Sequence, residues 1–164
     1  MSNNTISNNI IVVGIGHPFR GDDSLGIKAI ALLQSIDPHI ETKSLLGDIS
    51  QLLDIFANYQ QVYLIDAIVT QQSPSGTRYR LVGEDLKQLS SCCRCSTHTF
   101  DIAQALELAT NLGMMPDKLI IYGIEGQNFS HTEELSQPVQ AQLPQLVNDL
   151  YQEIYPHART QFNE

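Results

Sequence analysis

Three positions in this chain carry residue types that could do chemistry together. Asp23 ends the run Gly14-Ile15-Gly16-His17-Pro18-Phe19-Arg20-Gly21-Asp22-Asp23, Asp66 directly follows the apolar stretch Val62-Tyr63-Leu64-Ile65, and His98 closes Ser96-Thr97-His98. Two carboxylates and one imidazole suit a borderline divalent ion such as nickel or zinc and leave coordination positions open for a substrate. Each residue also has an ordinary reading. Acids in the first turn of a helix favour its macrodipole and cap free amides, which is the role expected of Asp22, leaving Asp23 to face a cleft. An acid just after an apolar strand sits at the rim of a buried sheet, where its carboxylate loses solvation and needs a cation or donors. His98 by itself reads as a residue at a helix start, with Ser96 or Thr97 as the cap, and gains meaning only beside the two acids.

The elements that must position these residues follow from periodicity. Apolar runs alternate with helix-period patterns, the signature of an α/β sheet with helices on its faces. A strand is expected over 10–15 and a helix over 24–36, where Leu25, Ala29, Leu32 and Leu33 share a face and Asp37-Pro38 stops the pattern. A short strand follows near 40–43. Asp48 is then expected to cap a helix carrying Ile49, Leu52, Leu53 and Phe56 on its inner face. The run 62–65 is apolar on both faces and so reads as a central strand. Turn chemistry over 71–76 leads to an edge strand over 77–82. A loop over 90–97 precedes a helix over 100–112 with Ile102, Ala105, Leu106 and Ala109 inward. The last strand spans 118–124, and the last helix lies within 138–154, carrying Val139, Leu143, Leu146, Val147 and Leu150. The expected fold is therefore α/β in three layers, a mostly parallel twisted sheet of about five strands covered by helices on both sides. In open sheets of this class, ligands bind in the crevice outside the carboxyl ends of the strands.

Composition bounds the function. With 164 residues the chain is one ordinary domain, able to bury about 70% of the surface its unfolded form exposes. The domain is expected over 10–155, between a disordered lead-in over 1–9 and a tail over 156–164. A formal net charge of −9 argues against nucleic acid, because phosphate binding needs a clustered excess of Lys and Arg. The polar start MSNNTISNN lacks the basic and apolar regions of a signal peptide, and no apolar run reaches membrane-spanning length. A cytoplasmic protein with no membrane partner is expected, and a monomer.

Other features of the chain have simpler readings. Gly14, Gly16 and Gly21 fail the dinucleotide fingerprint, since Phe19 stands where the third glycine belongs. The first two glycines then serve a tight strand-to-helix turn. Cys92, Cys93 and Cys95 are odd in number and crowded, a poor disulfide framework, and reduced thiols are expected. Cys92-x-x-Cys95-x-x-His98 has the spacing of half a zinc site but no matching second pair, and would compete with the acids for His98. His17, His39, His131 and His157 read as surface residues. Glu125, ending the last strand, is either a group lining the same cleft or a solvated strand end. No Gly-x-Ser-x-Gly elbow or His-Glu-x-x-His pair is present.

The run over 14–26, with Ile65-Asp66-Ala67, Ser96-Thr97-His98 and Tyr122-Gly123-Ile124-Glu125, resembles the nickel-iron hydrogenase maturation endopeptidases. The blocks occur in the family's order from about residue 10 to about 154. Two positions depart from the family pattern: His17 where Asn is common, and Gly126 where Pro is common. The resemblance implies an endopeptidase that removes a C-terminal extension from the precursor of the hydrogenase large subunit after nickel insertion. It also implies that Asp23, Asp66 and His98 are both the catalytic set and the nickel contacts, with the nickel carried by the substrate and no organic cofactor. Hydrolysis through a metal-polarised carbonyl, an activated water or one of the acids is compatible with these residues. A non-catalytic nickel-binding or chaperone module could use the same three ligands. An esterase acting on peptidyl-tRNA shares the opening strand and turn, but such a protein is expected to carry a basic face and an Arg-His-Asn segment, where this chain reads Arg20-Gly21-Asp22.

Overall fold

The opening run Ile10–Ile15 forms strand β1, buried beyond its first residue. It lies near the middle of a five-stranded sheet. The computed structural model describes residues 9–46, 50–82, 85 and 97–156, and of 97–101 the backbone alone. Of the expected lead-in over 1–9 and tail over 156–164, residues 1–8 and 157–164 lie outside these residues, as do Asp48, Ile49, the three cysteines and positions 90–96 of the loop before His98. Asn9 already accepts backbone hydrogen bonds from Gln60 and Gln61.

After β1 the chain makes a 3-10 turn, Gly21–Ser24, and helix α1, Leu25–Ile36. Then come β2 (Thr42–Leu45), α2 (Gln51–Asn58), β3 (Gln61–Ile68), β4 (Arg78–Val82), α3 (Thr97–Leu112), β5 (Lys118–Glu125) and α4 (Gln137–Ile154). The sheet order is β2-β1-β3-β5-β4. All neighbours are parallel except β4, which runs antiparallel along β5 at the edge. The three-layer α/β reading of the sequence is thus the observed architecture.

Alternation along the strands feeds two cores. Val12, Tyr63, Ile65, Ile120, Tyr122 and Ile124 pack with α1 and α4 on one face. Ile11, Val13, Val62, Leu64, Leu119 and Ile121 pack with α2 and α3 on the other. Because both faces are covered, the central strands are apolar almost continuously.

Several boundaries differ from the sequence expectation, among them the start of α2, which is at Gln51 after an N-cap at Ser50 and not at Asp48. The strand expected over 40–43 starts later, because Thr42 is the residue that pairs with Val12 while Ile40 turns into the α1 core. β3 does not stop at Ile65: it runs on to Ile68, paired with β5 through Ile68 and Glu125, so Asp66 lies inside the strand. Tertiary pairing, absent from any local pattern, carried it past the polar residue. α3 begins at Thr97, which places His98 within its first turn.

Candidate functional site

Among the described residues, the buried polar and charged side chains are Asp22, Asp23, Ser24, Asp66 and Glu125. All belong to the carboxyl ends of β1, β3 and β5 or to the turn after β1, the end at which a parallel sheet of this kind places ligands. Burial of charge is costly unless it is compensated. Its concentration at one end of the sheet makes that end the candidate site.

Asp23 is held there by glycines. Gly16 has φ +151, and a Cβ on it would stand 1.9 Å from the Asp23 backbone oxygen and 3.9 Å from Asp23 Oδ1. The amide of His17 donates to that same backbone oxygen at 3.1 Å, and the amide of Asp23 donates to the Arg20 carbonyl. Behind the turn, a Cβ on Gly26 would lie 2.5 Å from Ile15 N and 2.6 Å from the Ile65 carbonyl. The missing side chain lets the start of α1 lie across the ends of β1 and β3. Asp23 is 5% exposed as a result.

Asp66 is 2% exposed and paired across the sheet with Gly123. In β3 it has the parity of Val62 and Leu64, so it belongs to the face covered by α2 and α3. α3 lays Ile102, Leu106 and Ala109 on that face and ends shortly before β5 begins, so it runs back along the sheet from the carboxyl end. Its first turn, bearing the backbone of His98, belongs to the end that carries Asp23 and Asp66. The His98 side chain lies outside the described residues. Among the described residues, no three His, Cys, Asp or Glu side chains form a group that could hold a metal ion.

Two other acids take roles that the sequence did not disclose. Asp22, 0% exposed, does not cap its own helix. Its Oδ2 accepts from the amides of Gln127 and Asn128, both at 2.9 Å, and from Ser136 Oγ at 2.8 Å, while Oδ1 accepts from the Ser136 amide at 2.7 Å. Glu125 is buried and is not a solvated strand end. Its carboxylate accepts from the Thr70 amide, at 2.9 Å to Oε2, and from the Thr70 hydroxyl. No local signal announces either pairing, since the partners lie more than fifty residues away in sequence. His17 is exposed, and its Nδ1 accepts from the Phe19 amide at 3.2 Å. His39 and His131 are exposed as expected.

An open α/β sheet with buried acids gathered at its carboxyl end defines a class of binding or catalytic domains, and comparison narrows it. The family model for hydrogenase maturation proteases (HycI) matches residues 47–153. The chain belongs to the hydrogenase maturation protease family, and is by that membership a hydrolase of the peptidase class. Hydrogenase 2 maturation protease of Escherichia coli K12 is 24% identical over 137 residues, covering 82% of this chain and 83% of the relative. Hydrogenase expression/formation protein HupD of Thiocapsa roseopersicina is 26% identical over 127 residues, 71% of this chain but only 53% of its own length. The chain thus spans about half the length of that second relative. The fold is that of the hydrogenase maturating endopeptidase HybD from Escherichia coli, with TM-score 0.77 at 22% identity over 90% of this chain and 93% of the other. It is likewise that of HybD from Thermococcus kodakarensis, with TM-score 0.74 at 21% identity over 88% and 98% of the two chains.

Proposed function

We propose that this protein removes the C-terminal extension from the nickel-loaded precursor of a nickel-iron hydrogenase large subunit, recognising the nickel through Asp23, Asp66 and His98. The observation that carries the reading is the burial of Asp23 and Asp66 together at the carboxyl ends of adjacent strands, in a chain of this family. The metal is cargo of the substrate. Asp23, on the turn after β1, and Asp66, in the last part of β3, offer oxygens, and His98 offers a ring nitrogen, a donor set suited to nickel. Three ligands from three separate elements make a site better fitted to meeting a metal that a partner presents than to retaining one. Contact with the metal seats the precursor, so that the bond joining the extension is placed at the cleft. In this reading the protein acts as a monomer in the cytoplasm.

The test is one precursor prepared with and without nickel, plus a short peptide spanning the cleavage site, each incubated with the enzyme and weighed by mass spectrometry. Loss of the extension from the nickel-loaded form alone is expected. Efficient cutting of the peptide or of the metal-free precursor would leave an ordinary sequence-specific protease. Binding of the loaded precursor without mass loss would leave a non-catalytic nickel module.

A further inference from the structure

Asp22 and Glu125 are buried carboxylates that make no ion pair with any described residue, and yet both are well supplied with donors. The two sets of bonds share one property: each joins a segment next to a proposed ligand, the turn of Asp23 or the loop after Asp66, to the end of β5 or the loop that leaves it. Asp22 binds the loop that leaves β5, and the chain at that point is also drawn in by backbone bonds from Asp22 to the Asn128 carbonyl and from Gly21 to the Thr132 carbonyl. Glu125, the last residue of β5, binds Thr70, just beyond the end of β3 that carries Asp66. Its main chain holds the same loop, with Glu125 N donating to the Thr77 carbonyl and Gly76 N donating to the Glu125 carbonyl, both at 2.8 Å. Within that loop Gln71 is the one non-glycine with positive φ among the described residues, at 58°. Such a conformation persists only where the surroundings over-determine it.

We propose that Asp22 and Glu125 are positioning residues, which tie the turn carrying Asp23 and the loop beyond Asp66 to the end of β5 and so set the spacing of those two acids. The inference rests on the reading of Asp23 and Asp66 as the nickel contacts. Neither positioning acid touches substrate. A carboxylate is suited to the task because it only accepts, and backbone amides only donate. The two acids differ in what an amide could replace. Donors approach both oxygens of Asp22, so an asparagine there turns an N–H toward another N–H. At Glu125 the hydroxyl bond and the 3.1 Å amide contact both fall on Oε1, so a glutamine keeps these and gives up only the 2.9 Å contact of the same Thr70 amide with Oε2.

This difference supplies the experiment. Full-length Asp22→Asn, Ser136→Ala, Glu125→Gln, Glu125→Ala and Thr70→Val are assayed for kcat and KM on nickel-loaded precursor, and for hydrogen exchange at the Thr70, Gln127, Asn128 and Ser136 amides against Leu64 in β3. Asp22→Asn and Glu125→Ala are expected to expose their partner amides, leave Leu64 protected and lose about 10–100-fold in kcat/KM. Glu125→Gln is expected to retain activity within a few-fold, which a catalytic or ligating carboxylate would not allow. Ser136→Ala and Thr70→Val, each removing only hydroxyl bonds, are expected to give smaller losses in the same direction. They decide the matter if Asp22→Asn does not fold. Exposed amides with undiminished processing would overturn the proposal, as would an inactive Glu125→Gln with its Thr70 amide still protected. Asp23→Asn, run alongside, separates the two readings. If it processes normally, the site itself is wrong and the positioning role falls with it. If it is dead while Asp22→Asn is fully active, only the positioning role fails.

Discussion

Asp23 and Asp66, 5% and 2% exposed, are the buried acids that the proposed reading makes nickel contacts. Asp23→Asn, Asp66→Asn and His98→Ala are each expected to reduce processing of loaded precursor by at least about 10–100-fold, since removing one ligand of a three-ligand set weakens it severely. Far-ultraviolet dichroism is expected to stay nearly unchanged, because Asn matches Asp in shape and the groups stand at an end of the sheet. Normal processing by any two of these variants would remove the proposed site. Gly16 makes the same point without touching a ligand. An alanine there meets the Asp23 carbonyl at 1.9 Å in a backbone conformation that L side chains rarely adopt. Gly16→Ala is therefore expected to cost about 1–3 kcal/mol, read from urea denaturation, and to lose processing through the displaced turn. Retention of full activity would show that the turn has freedom the geometry denies it.

At the level of elements, the site depends on how closely α1 is seated on β1 and β3. A Cβ on Gly14 would stand 2.2 Å from the Gly26 carbonyl, and one on Gly26 would meet backbone atoms of Ile15 and Ile65. Strand and helix interlock at paired glycines, so neither can carry a side chain without pushing the other away. Gly26→Ala is expected to destabilise by about 1–3 kcal/mol through overpacking. Gly113→Ala, just past the end of α3, is the control: nothing lies within 4 Å of its Cβ and only its positive φ resists, so about 1 kcal/mol is expected. Equal midpoints for the two variants would argue against the interlock. Cys92→Ser with Cys95→Ser, in the segment before α3, is expected to leave processing unaltered. Loss of bound zinc with unfolding would mean that His98 serves the cysteines instead.

Over the whole molecule, the antiparallel edge is fastened to α4 by charge. Arg78 pairs with Asp149 at 2.6 Å, and Arg80, Lys118 and the Tyr122 hydroxyl converge on Glu153. Burial tends to raise the Glu153 carboxyl, but the hydrogen bonds from Arg80 and Tyr122, together with the charges of Arg80 and Lys118, outweigh it and hold the group below its ordinary value. Burial, and then the Glu153 carboxylate, push the Tyr122 hydroxyl above its ordinary value of 10.0. Stability from Glu153 is therefore present above the ordinary carboxylate value and lost as pH falls through its lowered native value. Stability from Tyr122 is fully present below 10.0 and lost as pH rises through its raised native value. Thermal melts against pH are expected to show Glu153→Gln flattening the acid limb and Tyr122→Phe the alkaline limb. Unchanged limbs would mean that this network contributes nothing to the pH dependence.

What the sequence by itself determined was what periodicity and residue type encode locally. The alternation of apolar runs with helix-period segments specified the three-layer sheet, and Val62 to Ile65, apolar on both faces, specified a central strand. The ordered blocks around Asp23, Asp66, His98 and Glu125 specified the family. Tertiary structure decided what depends on partners distant in the chain. Asp66 lies within β3 because Gly123 and Glu125 on the neighbouring strand continue the ladder past it. From its neighbours in sequence, Asp22 reads as a helix cap. Its actual partners are Gln127, Asn128 and Ser136, brought to it only when β1 and β5 enter the same sheet. A carboxylate takes whatever donors the fold delivers, and no local pattern states which those will be.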